Sequence, residues 1–573
     1  MTNTSPSITI RQTAILWITS IAIQLITVII GFDICDTGYY MTFYDNIFDS
    51  PASVGHNFMY YLSGVIGGLW LKIFPGSGVF GIRILGLIFN LLSVTAIYIA
   101  CRRFVPFKWI LAGTIMIFAG YFNMPMAFYN DTLTVTLIAA ALTVMYIALK
   151  NNRYSLIFLS GLIFGINLFS RVPNILDILF VILPVIHGIY SKHKPAYIIK
   201  LSCIFIGGYI LAVCAALSAM HMTGHLNIYL ETLKSLTATA SDSTQSHGLV
   251  NLISTQVRGY IAIARQVVYI LVCLTICSYV GKNRVNNIIR LLAYIFVAAI
   301  FTRQCLRCQP VFLLAALSVT GCLAVIVSKT EIMLKTIAVG GTLAMFIIPM
   351  GSDGGMINNG AIILFAAMPP ALAGLSRFEP PYLTPVKPAV ITSAAVIFTI
   401  ISFYTLVVAG TYFDPTPLSA NLQELKAPRA KGIYTSAARV ETVSTMTAMI
   451  DRRLEPGDTL LVYGSAPMIN YLTATRPAIG CSWPELLSET EIKSRLDKIK
   501  PGQLPAVLLQ RFNSIGAIDW NPSDEYAAGG GTQDPFHTIP KTNLILSFLK
   551  SNNYQIADST NSAILYIPPI KNW

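Results

Sequence analysis

The chain has 573 residues, of which 54% are hydrophobic and only 11% are charged. A soluble domain of ordinary composition carries roughly twice that charged fraction, so a single large soluble globule is excluded. The formal net charge is +13, but the sequence has no Lys/Arg-rich run of the kind that binds nucleic acid. Basic residues that orient a protein in a membrane account for this charge better.

Apolar segments close to the length that a helix needs to cross a bilayer recur along the chain. The first is followed by Phe32-Asp33 rather than by a small-residue cleavage site, which indicates an uncleaved signal anchor. Segment 57–74 is short and contains Lys72, which favours an interfacial helix on the membrane surface. We therefore predict a polytopic α-helical membrane protein of about thirteen transmembrane helices, near residues 13–31, 80–100, 107–121, 132–149, 154–170, 174–190, 200–220, 260–280, 287–302, 311–328, 332–349, 358–376 and 388–411.

The distribution of basic residues predicts the orientation of these helices. With the N-terminus in the cytoplasm, sixteen Lys and Arg residues lie in the inner loops or at their edges, and eight lie elsewhere before residue 413. This bias is the one that the positive-inside rule expects. We therefore expect a multi-pass protein of the cytoplasmic (inner) membrane, with a first outer loop at 32–79 and the C-terminus on the extracytoplasmic, or periplasmic, side.

From about residue 414 the composition changes to that of a globular domain. Buried strands are predicted at 458–464, 506–510 and 562–567, and helical patterns lie between them, notably at 436–453 and 543–551. Strands that alternate with helices indicate an α/β domain. The predicted organisation is a transmembrane domain at 1–413 and a soluble extracytoplasmic α/β domain at 414–573.

Carboxylates occur close to the predicted bilayer edge in the first two outer loops. Asp33 and Asp36 follow the first helix, and Asp131 begins the fourth after Tyr129-Asn130. Carboxylates at this depth are costly unless they are paired or solvated, which makes them candidate functional residues. The simpler alternatives are that Asp131 is a helix N-cap and that Asp33 and Asp36 are ordinary loop acids.

Basic residues also occur in outer loops, where the positive-inside trend disfavours them: Arg171 precedes Val172-Pro173, and Arg303 and Arg307 follow the ninth predicted helix. One interpretation is snorkelling at helix ends. The other is an anion clamp, because a guanidinium group pairs with phosphate through a planar fork. Asp353 lies in a glycine-rich outer loop that we interpret first as a turn and secondly as a substrate contact.

The order and spacing of these motifs in the first 175 residues resemble the membrane-embedded GT-C glycosyltransferases, in particular the lipid A aminoarabinose transferases and the protein O-mannosyltransferases. Asp36–Tyr40 stands where those families place an acidic pair and a tyrosine, and the stretch that begins at His56 stands where their interfacial helix begins. Tyr129-Asn130-Asp131 matches the second acidic loop, and Ser170–Pro173 matches a basic loop before proline. Thr37 departs from the pattern, because the resembled families have the second acid of the pair at this position.

The resemblance implies a GT-C-like fold and a glycosyltransferase, of hexosyl or pentosyl type, that uses a polyprenyl-phosphate-linked sugar. The acceptor, which is a lipid, a glycan or a protein, receives the sugar at the outer face of the cytoplasmic membrane with inversion at the anomeric carbon. The implied catalytic residues are Asp36 as general base, Asp131, and Asp33 as a substitute for the missing acid. The implied substrate-binding residues are Arg171, Arg303, Arg307, His56, Tyr40 and Tyr129, and the glycine-rich loop adds Asp353 as a further candidate substrate contact.

No metal site is predicted from the residues, although some members of the resembled families use a divalent cation that Asp33 and Asp36 could hold. The alternative function is a transporter or flippase of lipid-linked sugars, which requires charges in mid-membrane; Asp177 and Arg265 are the main candidates. A glycan ligase and a non-enzymatic assembly scaffold are further alternatives.

Overall fold

The structure is a computed structural model. It describes residues 10–121, 127–241, 248–282, 285–352, 354–357, 364–377, 386–515, 519–530 and 536–569.

Long apolar helices dominate the described residues up to position 409. Nine segments are long and apolar enough to cross a membrane: Ile10–Ile29, Gly78–Cys101, Asn130–Asn151, Val172–Tyr190, Pro195–Met222, Leu249–Gly281, Asn287–Arg307, Pro310–Val327 and Pro388–Ala409. Three shorter apolar helices, Phe107–Gly120, Tyr154–Asn167 and Ile332–Ile347, lie between them. Helix Met368–Leu375 lies within the predicted span 358–376, of which residues 358–363 are outside the described residues. The prediction of a polytopic α-helical membrane protein is confirmed, while the count of thirteen transmembrane helices stays a prediction.

Small residues allow neighbouring helices to approach closely. A Cβ atom at Gly161 would lie 2.1 Å from the carbonyl oxygen of Phe205, and one at Gly208 would lie 2.2 Å from that of Phe158. Helices in a bilayer gain their association energy from such backbone approach, because burying apolar surface from lipid gives little. The glycines therefore fix the pair Tyr154–Asn167 and Pro195–Met222.

The loops predicted to be outer gather at one end of the helix bundle. The amide of Leu62 donates to the carbonyl of Phe169 at 2.7 Å. The hydroxyl of Thr232 donates to the carbonyl of Gly55 at 2.7 Å. At the other end, Lys150 lies over the ring of Phe104 and Lys335 over the ring of Tyr190. We call the first the outer-loop end; that it faces away from the cytoplasm stays a prediction.

The first outer loop contains three short elements. They are the α-helix α1 (Asp36–Asn46), a 3-10 helix (Pro51–Tyr60) and the α-helix α2 (Tyr61–Ile73). Thirteen residues of α2 span about 20 Å, which is too short to cross the hydrocarbon core. Leu69, Ile73 and Phe74 are exposed on this helix or directly after it, as expected of a segment that lies on a bilayer surface.

The remainder of the chain forms two sheets with helices. A hairpin pairs β1 (Leu422–Glu424) with β2 (Tyr434–Ser436), and a five-stranded sheet has the order β4-β3-β5-β7-β6. Its strands are β3 (Thr459–Tyr463), β4 (Arg476–Pro477), β5 (Ala506–Gln510), β6 (Gln555–Ser559) and β7 (Ala563–Ile567). Strands β4, β3 and β5 run parallel, and β7 runs antiparallel to both β5 and β6. The described α-helices here are Ala437–Asp451, Met468–Leu472, Glu489–Leu496, Asp524–Ala527 and Ile539–Ser551. The predicted sheet-containing C-terminal domain is confirmed.

The C-terminal domain shares a hydrophobic core with the first outer loop. One cluster of buried side chains includes Phe32, Met41 and Phe43 from that loop together with Val443 and Leu508 from the domain. The first outer loop is therefore held between the helix bundle and the C-terminal domain.

Candidate functional site

Asp33 organises the start of α1. Its side chain is buried, with 4% exposure. One carboxylate oxygen accepts from the amide of Cys35 at 2.8 Å, and the other accepts from the amide and hydroxyl of Thr37 at 2.7 and 2.9 Å and from Tyr129 at 3.3 Å. Burial raises the pKa of Asp33, and these hydrogen bonds oppose the rise. An acid at this position captures amides that the first helical turn leaves unpaired.

Asp36 is the first residue of α1, and it differs from its neighbours in accessibility. In the fully described stretch 31–44, Asp36 is the one residue that is not buried. One of its carboxylate oxygens accepts from the hydroxyl of Tyr412 at 2.5 Å. Tyr412 lies three residues after the last long apolar helix, Pro388–Ala409. The carboxylate is therefore positioned by a distant tyrosine and still reaches accessible space.

Tyr40 connects the first outer loop to the second. It lies one helical turn after Asp36, on the same face of α1. Its hydroxyl donates to the side-chain carbonyl of Asn130, and its ring stacks on Tyr129 with centroids 4.6 Å apart. The hydroxyls of Tyr129 and Thr37 are hydrogen-bonded at 2.6 Å. Two loops more than eighty residues apart are thus joined by a short polar and aromatic bridge.

Asp131 and Arg171 form an ion pair at the outer-loop end. An Arg171 Nη atom lies 3.2 Å from a carboxylate oxygen of Asp131, and the two side chains are 4% and 19% exposed respectively. The guanidinium also donates to the carbonyls of Ile348 and Met350 at 2.9 and 3.2 Å. Asn130 donates to the same oxygen of Asp131 at 3.1 Å, which links this pair to Tyr40.

The acidity of Tyr40 reflects its position between the acids. Burial raises the pKa of Tyr40 well above its usual value, and Tyr60, Asp131 and Asp36 raise it further. Both carboxylates therefore act on the same hydroxyl, which agrees with the hydrogen-bonded bridge. A tyrosine with such a high pKa stays protonated, so its hydroxyl remains available as the donor to Asn130.

The structure does not join every predicted residue to this group. Arg303 and Arg307 are exposed on the helix Asn287–Arg307, and no hydrogen bond or ion pair links them to Asp36, Asp131 or Arg171 among the described residues. Asp353 lies outside the described residues. The substrate roles of these three residues stay predictions.

His56 lines a polar cavity rather than the acid group itself. The cavity has a volume of about 1040 Å³ and lies between the 3-10 helix of the first outer loop, the helix Leu226–Ser241 and the C-terminal domain. Glu231, Glu491, Arg495 and Lys498 contribute charged groups to its wall. The imidazole of His56 packs edge-on against Tyr39 of α1, with ring centroids 6.5 Å apart, so one wall residue of the cavity contacts α1 directly.

The first outer loop does not fit a cation held by Asp33 and Asp36. Four hydrogen-bond donors already occupy the two oxygens of Asp33, and a metal ion would have to displace them. Within the described ranges, no group of three or more His, Cys, Asp or Glu side chains is placed to hold a metal ion. We therefore assign no step of the chemistry to a metal.

Three residues of the site have contacts that the sequence motifs did not indicate. Thr37 appeared only as a departure from the acidic pair, yet its hydroxyl joins Asp33 to Tyr129. Asn130 was part of a motif without a role of its own. Tyr412 lies 376 positions after its partner Asp36, and no local pattern relates the two.

No protein-family model and no curated protein sequence matches the chain. Among solved structures the chain is similar to an oligosaccharyltransferase of Archaeoglobus fulgidus, determined as a complex with Zn and sulfate; the identity is 12%, the coverage 87% of this chain and 67% of that one, and the TM-score 0.44. A second structure of that enzyme, tethered to an acceptor peptide, matches at 10% identity and a TM-score of 0.43, with coverages of 98% and 74%. ArnT from Cupriavidus metallidurans, bound to undecaprenyl phosphate, matches over 97% of both chains at 10% identity and a TM-score of 0.35.

These proteins are GT-C family members, the family that the sequence motifs resemble. With TM-scores of 0.44 and below, the function of this chain has to be argued from its own residues.

Proposed function

We propose that the protein is a glycosyltransferase that moves a sugar from a polyprenyl-phosphate carrier to an acceptor at the outer face of the cytoplasmic membrane. The observation that supports this proposal is that Asp36, a partly exposed carboxylate, and the Asp131–Arg171 ion pair are connected at one end of the bundle through Tyr40 and Asn130. An accessible base and a cation near the bilayer edge are what sugar transfer from a lipid phosphate requires.

The proposed reaction is a one-step displacement. Asp36 accepts the proton of the acceptor hydroxyl or amine, and the acceptor atom forms a bond to the anomeric carbon. The bond between that carbon and the phosphate oxygen breaks, and the polyprenyl phosphate leaves with the electron pair. Attack opposite to the leaving group inverts the anomeric centre. The base and the cation therefore lie on opposite sides of the sugar.

Arg171 is the proposed partner of the leaving phosphate. Its guanidinium has five N–H groups, and Asp131 and two backbone carbonyls orient it. In this proposal Asp131 fixes the cation and contacts the sugar, Asp33 holds the loop, and Tyr40 and Tyr129 form an aromatic wall. In this proposal Arg303 or Arg307 contacts the phosphate only after the lipid-linked donor has bound.

The acceptor side of the proposal uses the polar cavity beside His56. Its volume of about 1040 Å³ exceeds that of a typical small-molecule pocket, and its wall carries both signs of charge. Such a wall suits a hydrophilic acceptor better than a lipid tail. We accordingly propose that the C-terminal domain and this cavity lie outside the cytoplasm, where the acceptor arrives from water.

The charged residues inside the bundle do not favour transport. Asp177 is fully buried and accepts from the side-chain amide of Asn167 at 2.7 Å. Arg265 is exposed on the outside of the helix Leu249–Lys282. A transport pathway needs charged groups along a central cavity, whereas Asp177 is hydrogen-bonded to Asn167 inside the packed bundle and Arg265 is exposed on the surface of the described residues.

The test is the substitution Asp36→Asn, assayed with a defined polyprenyl-phosphate sugar. We expect the transfer rate to fall about 10²–10⁴-fold, because a general base contributes that much, while the protein stays folded and inserted. The matched control is Asp49→Asn in the same loop, since Asp49 is exposed and pairs only at the surface with Lys72. Unchanged transfer by the Asp36 variant refutes the assignment.

A further inference from the structure

The five-stranded sheet of the C-terminal domain has a strand order that creates a ligand-binding crevice in other α/β sheets. Strand β4 lies on one side of β3, and β5, the next strand in the chain, lies on the other side. In open α/β sheets, ligands bind outside the carboxyl ends of the strands at such a reversal of strand order. The crevice lies between Gly464-Ser465, which follow β3, and the segment Phe512–Ser514, which follows β5.

This crevice is occupied by the first outer loop. The thiol of Cys35 donates to the carbonyl of Ser465 at 3.0 Å and lies 3.5 Å from the hydroxyl of Ser514. The carbonyl of Ile34 accepts from the amide of Met468 at 3.1 Å. The two residues directly before Asp36 therefore occupy the place of a ligand.

A buried ion pair holds the same loop from a second side. Asp414 and Arg439 have side chains that are each 1% exposed, and an Nε–carboxylate distance of 3.5 Å joins them. Asp414 accepts from the amide of Phe32 at 2.8 Å, and Arg439 donates to the carbonyl of Phe32 at 3.3 Å. Both backbone groups of the residue before Asp33 are thus held by one ion pair.

The pair also connects the loop to the end of the helix bundle. Arg439 donates to the carbonyl of Phe413 at 2.8 Å, and its guanidinium lies 4.4 Å from the ring centre of Trp520. Tyr412, which donates to Asp36, is two residues before Asp414. Because desolvated charges are costly, an ion pair with so many backbone partners fixes a geometry rather than simply adding stability.

We propose that the C-terminal domain is a clamp for the first outer loop, and that Asp414 and Arg439 are positioning residues that place Asp36 opposite Arg171. This inference rests on the proposed function, because Asp36 needs a fixed position only if it acts on a substrate. The domain thus holds the base in position. The first outer loop fills the crevice between β3 and β5, which is therefore closed to other ligands.

The first test is Arg439→Lys, which keeps the charge and loses the fork that spans Asp414, Phe32 and Phe413. We expect kcat to fall about 10–100-fold with KM values for donor and acceptor within about twofold, since small misplacement of a reacting group lowers the rate. We also expect faster amide hydrogen exchange in peptides that cover residues 30–37. The control is Arg452→Lys, whose ion pair with Asp558 lies at the surface of the same domain.

The second test replaces the clamp by a covalent bond. In Ser514→Cys the new thiol faces the native Cys35, close enough for a disulfide after a small shift of the side chains. Oxidation with copper phenanthroline should preserve kcat within about twofold and should restore the rate of the Arg439→Lys variant. Cys35→Ala in the Ser514→Cys background is the control, because it cannot form the bond.

Two results would overturn the clamp. One is loss of transfer on oxidation with recovery on reduction, since it would mean that the loop leaves the crevice during turnover. The other is unchanged exchange at residues 30–37 in the Arg439→Lys variant. If the wild-type protein transfers no sugar, the proposed function fails, and the exchange measurement still decides whether the domain holds the loop.

Discussion

Tyr412 donates a hydrogen bond to the proposed base, Asp36. Burial raises the pKa of Tyr412 well above its usual value, and the charges of Asp36 and Asp33 add to the rise. The hydroxyl therefore remains a hydrogen-bond donor across the alkaline range. A donor to a carboxylate stabilises the charged form, which is the form that a general base needs.

We expect Tyr412→Phe to move the acidic limb of the pH profile of kcat/KM to higher pH. The lost hydrogen bond disfavours the charged carboxylate, so the base becomes protonated at a higher pH than in the wild type. A hydrogen bond to a charged group contributes about 1.5–3 kcal/mol. The shift should therefore be about one pH unit or more.

The comparison variant is Tyr404→Phe, because Tyr404 is exposed on the helix Pro388–Ala409. An acidic limb that stays in place in the Tyr412 variant would show that this hydroxyl does not act on the base.

The sequence predicted Asp36 and Asp131 as acids near the bilayer edge because charge at that depth is informative by itself. It did not predict that Asp33 accepts hydrogen bonds from the amides of Cys35 and Thr37 at the start of α1, because the difference between such a buried acid and an accessible one lies in the fold of the loop. It also gave no indication of Tyr412. Contacts between residues hundreds of positions apart follow from domain packing rather than from local spacing.

The helix α1 is the element that brings the acids and the C-terminal domain together. Gly38 lies where α1 crosses the helix Met468–Leu472, and a Cβ atom there would be 2.2 Å from the backbone nitrogen of Met468. Only a residue without a side chain permits this approach.

We expect Gly38→Ala to separate the first outer loop from the C-terminal domain, because backbone atoms would have to move. Overpacking of this kind typically costs about 1–3 kcal/mol. Thermal unfolding in detergent or nanodiscs should show the loss of stability, and limited proteolysis should release the C-terminal domain more readily.

The control is Gly207→Ala, since nothing lies within 4 Å of a Cβ atom at that helical position. Alanine there should be neutral or slightly stabilising. Equal stability of the wild type and the Gly38 variant would contradict the close packing of α1.

Elements with a clear period or apolar length were predictable from the sequence. Strand β5 was predicted with its observed bounds, and the apolar helices lie near their predicted positions. The helix α1 was not predicted, because its residues are buried on nearly all sides and leave no alternation of apolar and polar positions. The edge strand β6 was not predicted for the opposite reason, because it is largely exposed and has no buried positions to alternate with exposed ones.

At the scale of the whole molecule, the residues of the proposed site lie at one end of the helix bundle. The first, second and third outer loops contribute Asp36, Asp131 and Arg171 there, and Tyr412 comes from the short segment between the last long apolar helix and the C-terminal domain. The positive-inside bias predicts that this end faces away from the cytoplasm. A polyprenyl phosphate would then reach the Asp131–Arg171 pair from the outer leaflet.

The most direct test of the proposed site is a cryo-EM structure of the Asp36→Asn variant with a polyprenyl-phosphate sugar in a nanodisc. The substitution should keep the donor intact by slowing transfer. We predict that the phosphate contacts Arg171 and that the sugar lies between it and residue 36. A phosphate bound at the opposite end of the bundle, or a sugar that does not contact residue 36, would contradict the account.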